Sequence, residues 1–500
     1  MSNAASSSTS APRLARVAIA LAAGVVVSAL AIPASASAAG FGAPVKISGK
    51  DDLYTDPMAV MAPSGRTALL YGRGRGQGTR LQYRLALGDS ADRLSAPRTL
   101  TLPGTPAGAR FLGAELLART DGTFVLCLTR ITRTGKSQGC SIAPPGQSFG
   151  ALATLPGPPT SLRAIARPDG TTVLLRTNTR STPNSRVKQV SSTMLTLDAS
   201  GRPGPERPFV RTKDEFDFNL SFSDERDAAV LTDGTIAIRA NYPDPKDRDT
   251  TRLGIRLMAP GADAFGPIVP VPGILASNDI ALVGGPVLTV SYRTTEAPGL
   301  NGPDVVRAVQ RRPDGTFGPT LTVPGPQPRS YEDYLSAALG VQPDGGLFTV
   351  TARTEPDPDY PDCDFLVSGA VSTGAFTPVG QPGTEQVLSD PKQIALQPQA
   401  ASLADGTAIA AWQEGLGESG LRRVVVAIRP AGATSFNRPR RLPQVTASPS
   451  LVTLLAAGEH AALVWQAEDR DHSVVVSTLR SAPPYAAFVP PARHPGTSCE

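Results

Sequence analysis

The feature that most limits how this chain can fold is a short turn that returns along its whole length. The turns are Pro63-Ser64-Gly65-Arg66, Thr120-Asp121-Gly122-Thr123, Pro168-Asp169-Gly170-Thr171 and Thr232-Asp233-Gly234-Thr235. They continue with Val283-Gly284-Gly285-Pro286, Pro343-Asp344-Gly345-Gly346, Ala404-Asp405-Gly406-Thr407 and Ala457-Gly458-Glu459-His460. Their mean spacing is about 56 residues, a period that belongs to repeat architectures. Asp-Gly is the pair a two-residue hairpin selects, because both central residues of that turn need positive φ.

Strands bracket each turn in the same order. A small-residue strand comes first, as in Ala337-Ala338-Leu339-Gly340 and Ala400-Ala401-Ser402-Leu403. A more apolar second strand follows the turn, as in Phe124 to Leu128, Ile409 to Trp412 and Ala461 to Trp465. A third strand comes next, as in Val305 to Val309 and Val424 to Ile428. An aromatic and a proline announce a fourth, in Phe265-Gly266-Pro267, Phe317-Gly318-Pro319, Phe376-Thr377-Pro378 and Phe436-Asn437-Arg438-Pro439. Proline suits an edge strand, where its missing N–H costs no ladder bond. Four antiparallel strands per repeat, small inside and proline-marked outside, make a propeller blade. The expected fold is therefore all-β: one β-propeller over residues 41–492, with eight blades, or seven if one repeat is degenerate. Phe41 to Ile47 reads as an orphan fourth strand that could close the ring, although Tyr485 to Arg493 competes for that slot.

Residues 1–38 read as an export signal. Arg13 and Arg16 precede the apolar run Val17 to Ile32, and small residues offer cleavage after Ala36 or Ala38. The expectation is a secreted, extracellular chain without membrane insertion after cleavage, ending in a tail at 493–500. The net charge of +5 is carried mostly by arginines scattered along the chain. Nucleic-acid binding would gather them on one face, so it is not expected.

Repeats with F-G-x-P ahead of an inner strand, a P-D-G-T turn and a Trp-Gln strand end (Trp412-Gln413, Trp465-Gln466) resemble secreted bacterial β-propeller repeat proteins. Some of these are loosely termed sialidase-like. The resemblance implies the architecture; it assigns no activity, since fold alone does not confer one.

An even number of cysteines in an exported chain favours disulfides. Cys127 and Cys140 lie on the second and third strands of one repeat, close enough to bridge if the hairpin pairs them. Elimination leaves Cys363 with Cys499, among three connectivities open in principle. No C-x₂-C spacing suggests zinc.

The chemical motifs fail on context. Gly146-Gln147-Ser148-Phe149-Gly150 matches G-x-S-x-G, but a nucleophile elbow needs a helix after it, and here a hairpin loop is expected. Gly135-Lys136-Ser137 lacks the earlier glycine of a P-loop, and Gly72 to Gly78 precedes no helix. The three histidines, His460, His472 and His494, all fall near the C-terminal end. The R-I-P and S-x-D-x-G-x-x-W motifs of true sialidases are missing. No catalytic residue, cofactor or metal ligand is assigned, so an enzyme is not the favoured reading. Calcium is the one metal the acidic stretch Asp357, Asp359, Asp362 and Asp364 could attract.

Strand order fixes which loops share a rim. First-to-second and third-to-fourth turns lie on one rim, and second-to-third and fourth-to-first connections on the other. The latter are long, and loops of that kind carry function. Several fourth-to-first connections bring acids and aromatics toward the axis: Asp51, Asp52, Tyr54 and Asp56; Asp217; Asp279; Tyr331, Glu332 and Asp333; and Asp390. The expected function is a non-catalytic binding or interaction module for an extracellular carbohydrate or protein, its ligand at the axial mouth. The alternative is a carbohydrate-active hydrolase or lyase using those axial carboxylates.

Overall fold

The computed structural model describes residues 40–480 except 49–55, 74–81, 106–109, 134, 182–187, 211–226, 248–250, 276–279, 296–303, 323–333, 357–365, 377–385, 391–392, 416–421, 444–448 and 468–472. Apart from one 3₁₀ turn at Ala91–Arg93, the regular structure of the described residues is all antiparallel strand. Seven four-stranded sheets follow one another in chain order, each a simple up-and-down meander: residues 58–99, 110–154, 161–210, 228–275, 280–322, 334–387 and 394–441 (sheets 1 to 7). The closing sheet, sheet 8, takes Pro449–Ala457, His460–Ala467 and Ser473–Arg480 from one end of the chain and two short strands from the other.

The second strands explain the ring. Most are unbroken apolar runs, as in Leu69-Leu70-Tyr71 and Phe124 to Leu128, and where Thr349 and Thr351 interrupt the run they are buried too, so these strands are covered on both faces. In Phe124–Thr132, Phe124 and Leu126 pack with Leu70 of sheet 1, while Val125 and Cys127 pack with Leu174 of sheet 3. In Thr67–Arg73, Leu70 faces sheet 2 and Leu69 faces Val464 and Val474 of sheet 8. Alternate residues thus serve opposite neighbours, as a period of two requires. Apolar clusters fill all the interfaces between successive sheets, including that between sheets 8 and 1. The protein is a closed β-propeller.

Closure uses the N-terminal slot. Phe41 pairs with Leu479, and Val45 with Val476. Ser48 Oγ accepts from the Val474 amide at 2.7 Å, and Ser477 Oγ donates to the Gly42 carbonyl at 2.8 Å. The rival strand at Tyr485 to Arg493 lies outside the described residues.

The turn chemistry differs from expectation. Among the described residues only Gln397 has positive φ without being glycine, so the aspartates of the Asp-Gly turns are not left-handed. In the third repeat the Gly170 amide donates to the Arg167 carbonyl at 3.1 Å, and the Arg167 amide to the Thr171 carbonyl at 2.9 Å. That is a three-residue loop, a type I turn closed by a glycine at φ +80°. The aspartate has another task. Asp169 Oδ1 accepts from both the amide and the hydroxyl of Thr171, at 2.9 and 2.7 Å. The same amide bond recurs at Asp121, Asp233, Asp344 and Asp405. Pro313-Asp314-Gly315-Thr316, which sequence reading passed over, repeats it between the third and outer strands of sheet 5. Of the eight recurring turns, the last alone has two residues, with Ala457 paired to His460.

Candidate functional site

The two rims are built differently. On the tight-turn rim, polar side chains at the strand ends reach across to the next sheet. Arg119, fully buried, donates to Thr172 Oγ1 at 2.9 Å and to the carbonyls of Ala199 and Asp198 at 2.8 and 2.9 Å, all in sheet 3. Arg66 donates to the carbonyls of Gly122 and Ala143 in sheet 2, and Arg167 to that of Ala262 in sheet 4. Gln342 of sheet 6 meets Ser402 of sheet 7 at 2.7 Å. Desolvation by burial lowers the pKa of Arg66 and Arg119, yet nearby aspartates oppose the shift and both remain cations. This rim is stapled.

The G-x-S-x-G sequence belongs to the same rim. It joins the third and outer strands of sheet 2, with Ser148 exposed, Phe149 buried in the core and the Gln147 carbonyl accepting from Arg66. It is a hairpin loop with no base beside it among the described residues.

Of the axial residues expected from sequence, Asp56 and Asp390 are described. Both are exposed, Asp56 just ahead of Met58–Met61 and Asp390 ahead of Ile394–Ser402. Asp51, Asp52, Tyr54, Asp217, Asp279, Tyr331, Glu332 and Asp333 lie outside the described residues, as does the acidic stretch at Asp357 to Asp364. Cys363 and Cys499 do too. Cys127 and Cys140 are bonded, directly opposite one another across the hairpin and both buried.

Carboxyl groups whose pKa is displaced are all held below the usual carboxylate range. Asp198 is lowered first by the Ser200 hydroxyl and then by the Arg202 amide. For Asp314 the order is the Thr316 hydroxyl, then the Thr316 amide. Asp244 is lowered chiefly by the Lys246 amide, with Arg252 adding to it. At Asp169 burial pushes upward, but the two bonds from Thr171 and the charges of Arg167 and Arg119 outweigh it. None of these four is a proton donor near neutral pH.

The loop rim holds a feature that sequence reading missed. Between sheets 2 and 3 opens a cleft of about 580 Å³. Its wall on sheet 2 is the first strand, Arg110–Ala118, which bulges between Leu112 and Ala114 with Gly113 at φ +53°. A Cβ on Gly113 would meet nothing within 4 Å, and Leu112 is exposed beside it. Glu115 crosses to sheet 3, lying 3.1 Å from Arg163 and accepting from the Ala164 amide at 3.3 Å. The Cys127–Cys140 bond adjoins the floor, since Cys127 lines the cleft. Gln138 Nε2 donates to the Thr160 carbonyl at 2.9 Å, but Gln138 Oε1, Thr160 Oγ1 and Thr177 Oγ1 have no hydrogen-bond partner in the protein. All three residues line the cleft.

No family model matches the chain, and no curated protein matches it. Solved structures similar to it include the polysaccharide lyase Uly1, at 9% identity and TM-score 0.47, covering 88% of this chain and 99% of that one. An α-L-arabinanase from Penicillium chrysogenum matches at 11% identity and TM-score 0.35, covering 88% and 99%. A leech intramolecular trans-sialidase matches at 11% and 0.34, covering 75% of this chain and 68% of the other. None of these likenesses brings an activity to this chain.

Proposed function

We propose that this protein is a secreted, non-catalytic binding module whose extracellular ligand, a carbohydrate or a protein, sits on the loop rim at the mouth of the propeller axis. The observation that supports this reading most is the asymmetry between the rims. The tight-turn rim spends its polar side chains on bonds between neighbouring sheets, as Arg66, Arg119 and Arg167 do. On the other rim the ends of successive described strands are further apart in sequence, as between Val210 and Ala228, Thr295 and Asp304, and Pro356 and Leu366, and long connections on a rigid scaffold are where recognition is placed. On the loop rim, the pKa of Asp244 is lowered chiefly by the Lys246 amide, which favours fixed negative charge there over acid catalysis.

The test is a glycan array on the mature protein, with and without calcium, repeated on a triple variant with Asp52, Asp217 and Asp333 changed to Asn. Wild type should retain a glycan without altering it, and the triple variant should lose it while melting like wild type. Normal binding by the folded triple variant removes the ligand from the axial mouth. Release of a cleaved or unsaturated product transfers the protein to the hydrolase or lyase reading.

A further inference from the structure

Scattered along the sequence, a set of cations is gathered by the fold on one part of the loop rim, where the second strand of a sheet ends and the third begins. In sheet 1 that end carries Arg73, opposite Gln82. In sheet 2 it carries Arg130, opposite Ser137, with Arg133 at the tip and Lys136 opposite Ile131. In sheet 3 it carries Arg180, opposite Gln189, and Lys188, opposite Ser181. Arg75, Arg80 and Arg186 fall in the same connections but lie outside the described residues. Strand alternation carries Arg130 to the side of Leu126 and Leu128, toward sheet 1, and Lys136 to the side of Cys140, toward sheet 3. Both flanks of the sheet 2 hairpin are therefore positive, and Arg133 and Lys136 are exposed.

No carboxylate accompanies these charges. Between Asp56 and Asp198 the acids of the sequence are Asp89, Asp92, Glu115, Asp121 and Asp169. All but Glu115 belong to connections of the tight-turn rim, and Glu115 lies 3.1 Å from Arg163. Sheets 4 to 7 differ, because each places a carboxylate at the equivalent strand ends: Asp244, Asp304, Glu355 and Glu414. In sheet 8 the sequence puts Glu468, Asp469 and Asp471 in that connection. Neighbouring sheets 1, 2 and 3 thus form one positive arc, and a surface that concentrates one sign of charge draws in the other.

The residues between the cations narrow the partner. Arg73 to Gln82, Thr129 to Gln138 and Arg176 to Gln189 contain no Phe, Trp, Tyr or His. They offer no ring on which a base could stack and none to settle at a lipid interface. Their neutral residues are mostly Gly, Thr, Ser, Asn and Gln, whose hydroxyls and amides exchange hydrogen bonds with other hydroxyls. Cations set among such groups match a chain of sugars that carries acid groups: Arg takes a carboxylate through its forked guanidinium, and Lys through its point charge.

We infer that the arc across sheets 1 to 3 is a docking surface for an anionic polysaccharide, held on sheet 2 by Arg130, Arg133 and Lys136. The cleft between sheets 2 and 3 opens beside it, with Lys136 at its edge. The arc is separate from the axial mouth and does not rest on that reading.

The experiment is calorimetric titration at low salt with polygalacturonate, and with its methyl ester, which keeps the sugars and removes the charge. Wild type should bind the acid but not the ester, and added salt should weaken binding, as it does for polyanions that release counterions. Changing Arg130, Arg133 and Lys136 together to Gln should lower affinity about tenfold or more. Arg312→Gln, Arg438→Gln and Arg440→Gln together remove the same charge from exposed positions on sheets 5 and 7, and should lower it less than about twofold. The axial triple Asn variant should bind at least as well as wild type. The inference is overturned if wild type ignores polygalacturonate or takes the ester equally, if the folded sheet 2 variant binds normally, or if the control triple loses as much. Tighter binding of oligothymidylate or of phosphatidylglycerol vesicles also overturns it, giving the arc to a nucleic acid or a membrane. Loss of binding in the axial variant alone returns the polymer to the axial mouth. Should the sheet 2 variant unfold, the charge reversal Lys136→Glu, at an exposed position, decides in its place.

Discussion

Two turn glycines with the same sign of φ should respond very differently to a methyl group. Gly170 sits at φ +80° with no atom within 4 Å of where a Cβ would be. Alanine there meets only backbone strain, about 1–2 kcal/mol for an L-residue in the left-handed region. Gly458 sits at φ +60°, and its Cβ would come 2.5 Å from the carbonyl oxygen of Pro63, in the neighbouring sheet. That contact is with backbone and cannot be relieved by a rotamer change. Overpacking of this kind adds about 1–3 kcal/mol, so Gly458→Ala should cost about 2–5 kcal/mol. Asparagine separates the two terms, because it tolerates the left-handed region but still carries a Cβ. Gly170→Asn should therefore recover most of the loss at 170, whereas Gly458→Asn should recover little at 458. Urea unfolding followed by circular dichroism gives the midpoints, with an unchanged slope showing that the denatured state is unaffected. Equal losses for the two alanine variants, or full recovery by Asn at 458, would refute the assignment of strain and contact made here.

Three further outcomes are expected. Arg119→Met keeps the aliphatic stem but strands the carbonyls of Asp198 and Ala199; urea midpoints should fall by the equivalent of about 2–4 kcal/mol, with ligand affinity at the opposite rim unchanged. Replacing Cys127 and Cys140 together by Ala opens a loop of sequence separation 13 and should cost about 2–4 kcal/mol, and an unchanged melting temperature would contradict it. Burial raises the Tyr83 pKa to about 12 from 10.0. The unfolded chain then loses this proton first as pH rises, so the contribution is fully present below pH 10 and declines between about pH 10 and 12, by at most about 2–3 kcal/mol. Tyr83→Phe should flatten that part of the stability profile, and an unaltered profile would show that another group governs it.

The architecture was legible because it is written in periodic terms: a tight turn followed by a second strand covered on both faces returns at every repeat, apolar throughout in most of them. Even so, the Asp-Gly pairs led to the wrong turn. Asp169 resembles a left-handed turn residue in sequence, but its carboxylate is engaged by Thr171, and that bond stabilises a type I turn instead. The staples were within reach, since Arg119 and Arg167 each immediately precede an x-Asp-Gly turn, a coincidence of position that scattered charge obscured. The cleft was not legible. Only the isolated Gly113 in Phe111-Leu112-Gly113-Ala114 hints at a bulge, whose place is set by the register against Leu128 and Thr129. Its unpaired atoms come from three separate segments that only the pairing of sheets 2 and 3 brings together.

The way the ring is joined sets the timetable of its assembly. The strands at Gly40–Phe41 and Val45–Lys46 are made first, yet their partner, Ser473–Arg480, is made last. Throughout synthesis the early segment has no edge to pair with, and Leu69 and Tyr71 of sheet 1 wait uncovered for Val464 and Val474. A ribosome-bound chain is thus an open arc with two unmated flanks, each a template for a neighbouring copy. The final hairpin acts as the clasp. Truncations that remove it should release not a slightly weakened ring but a chain prone to join others end to end.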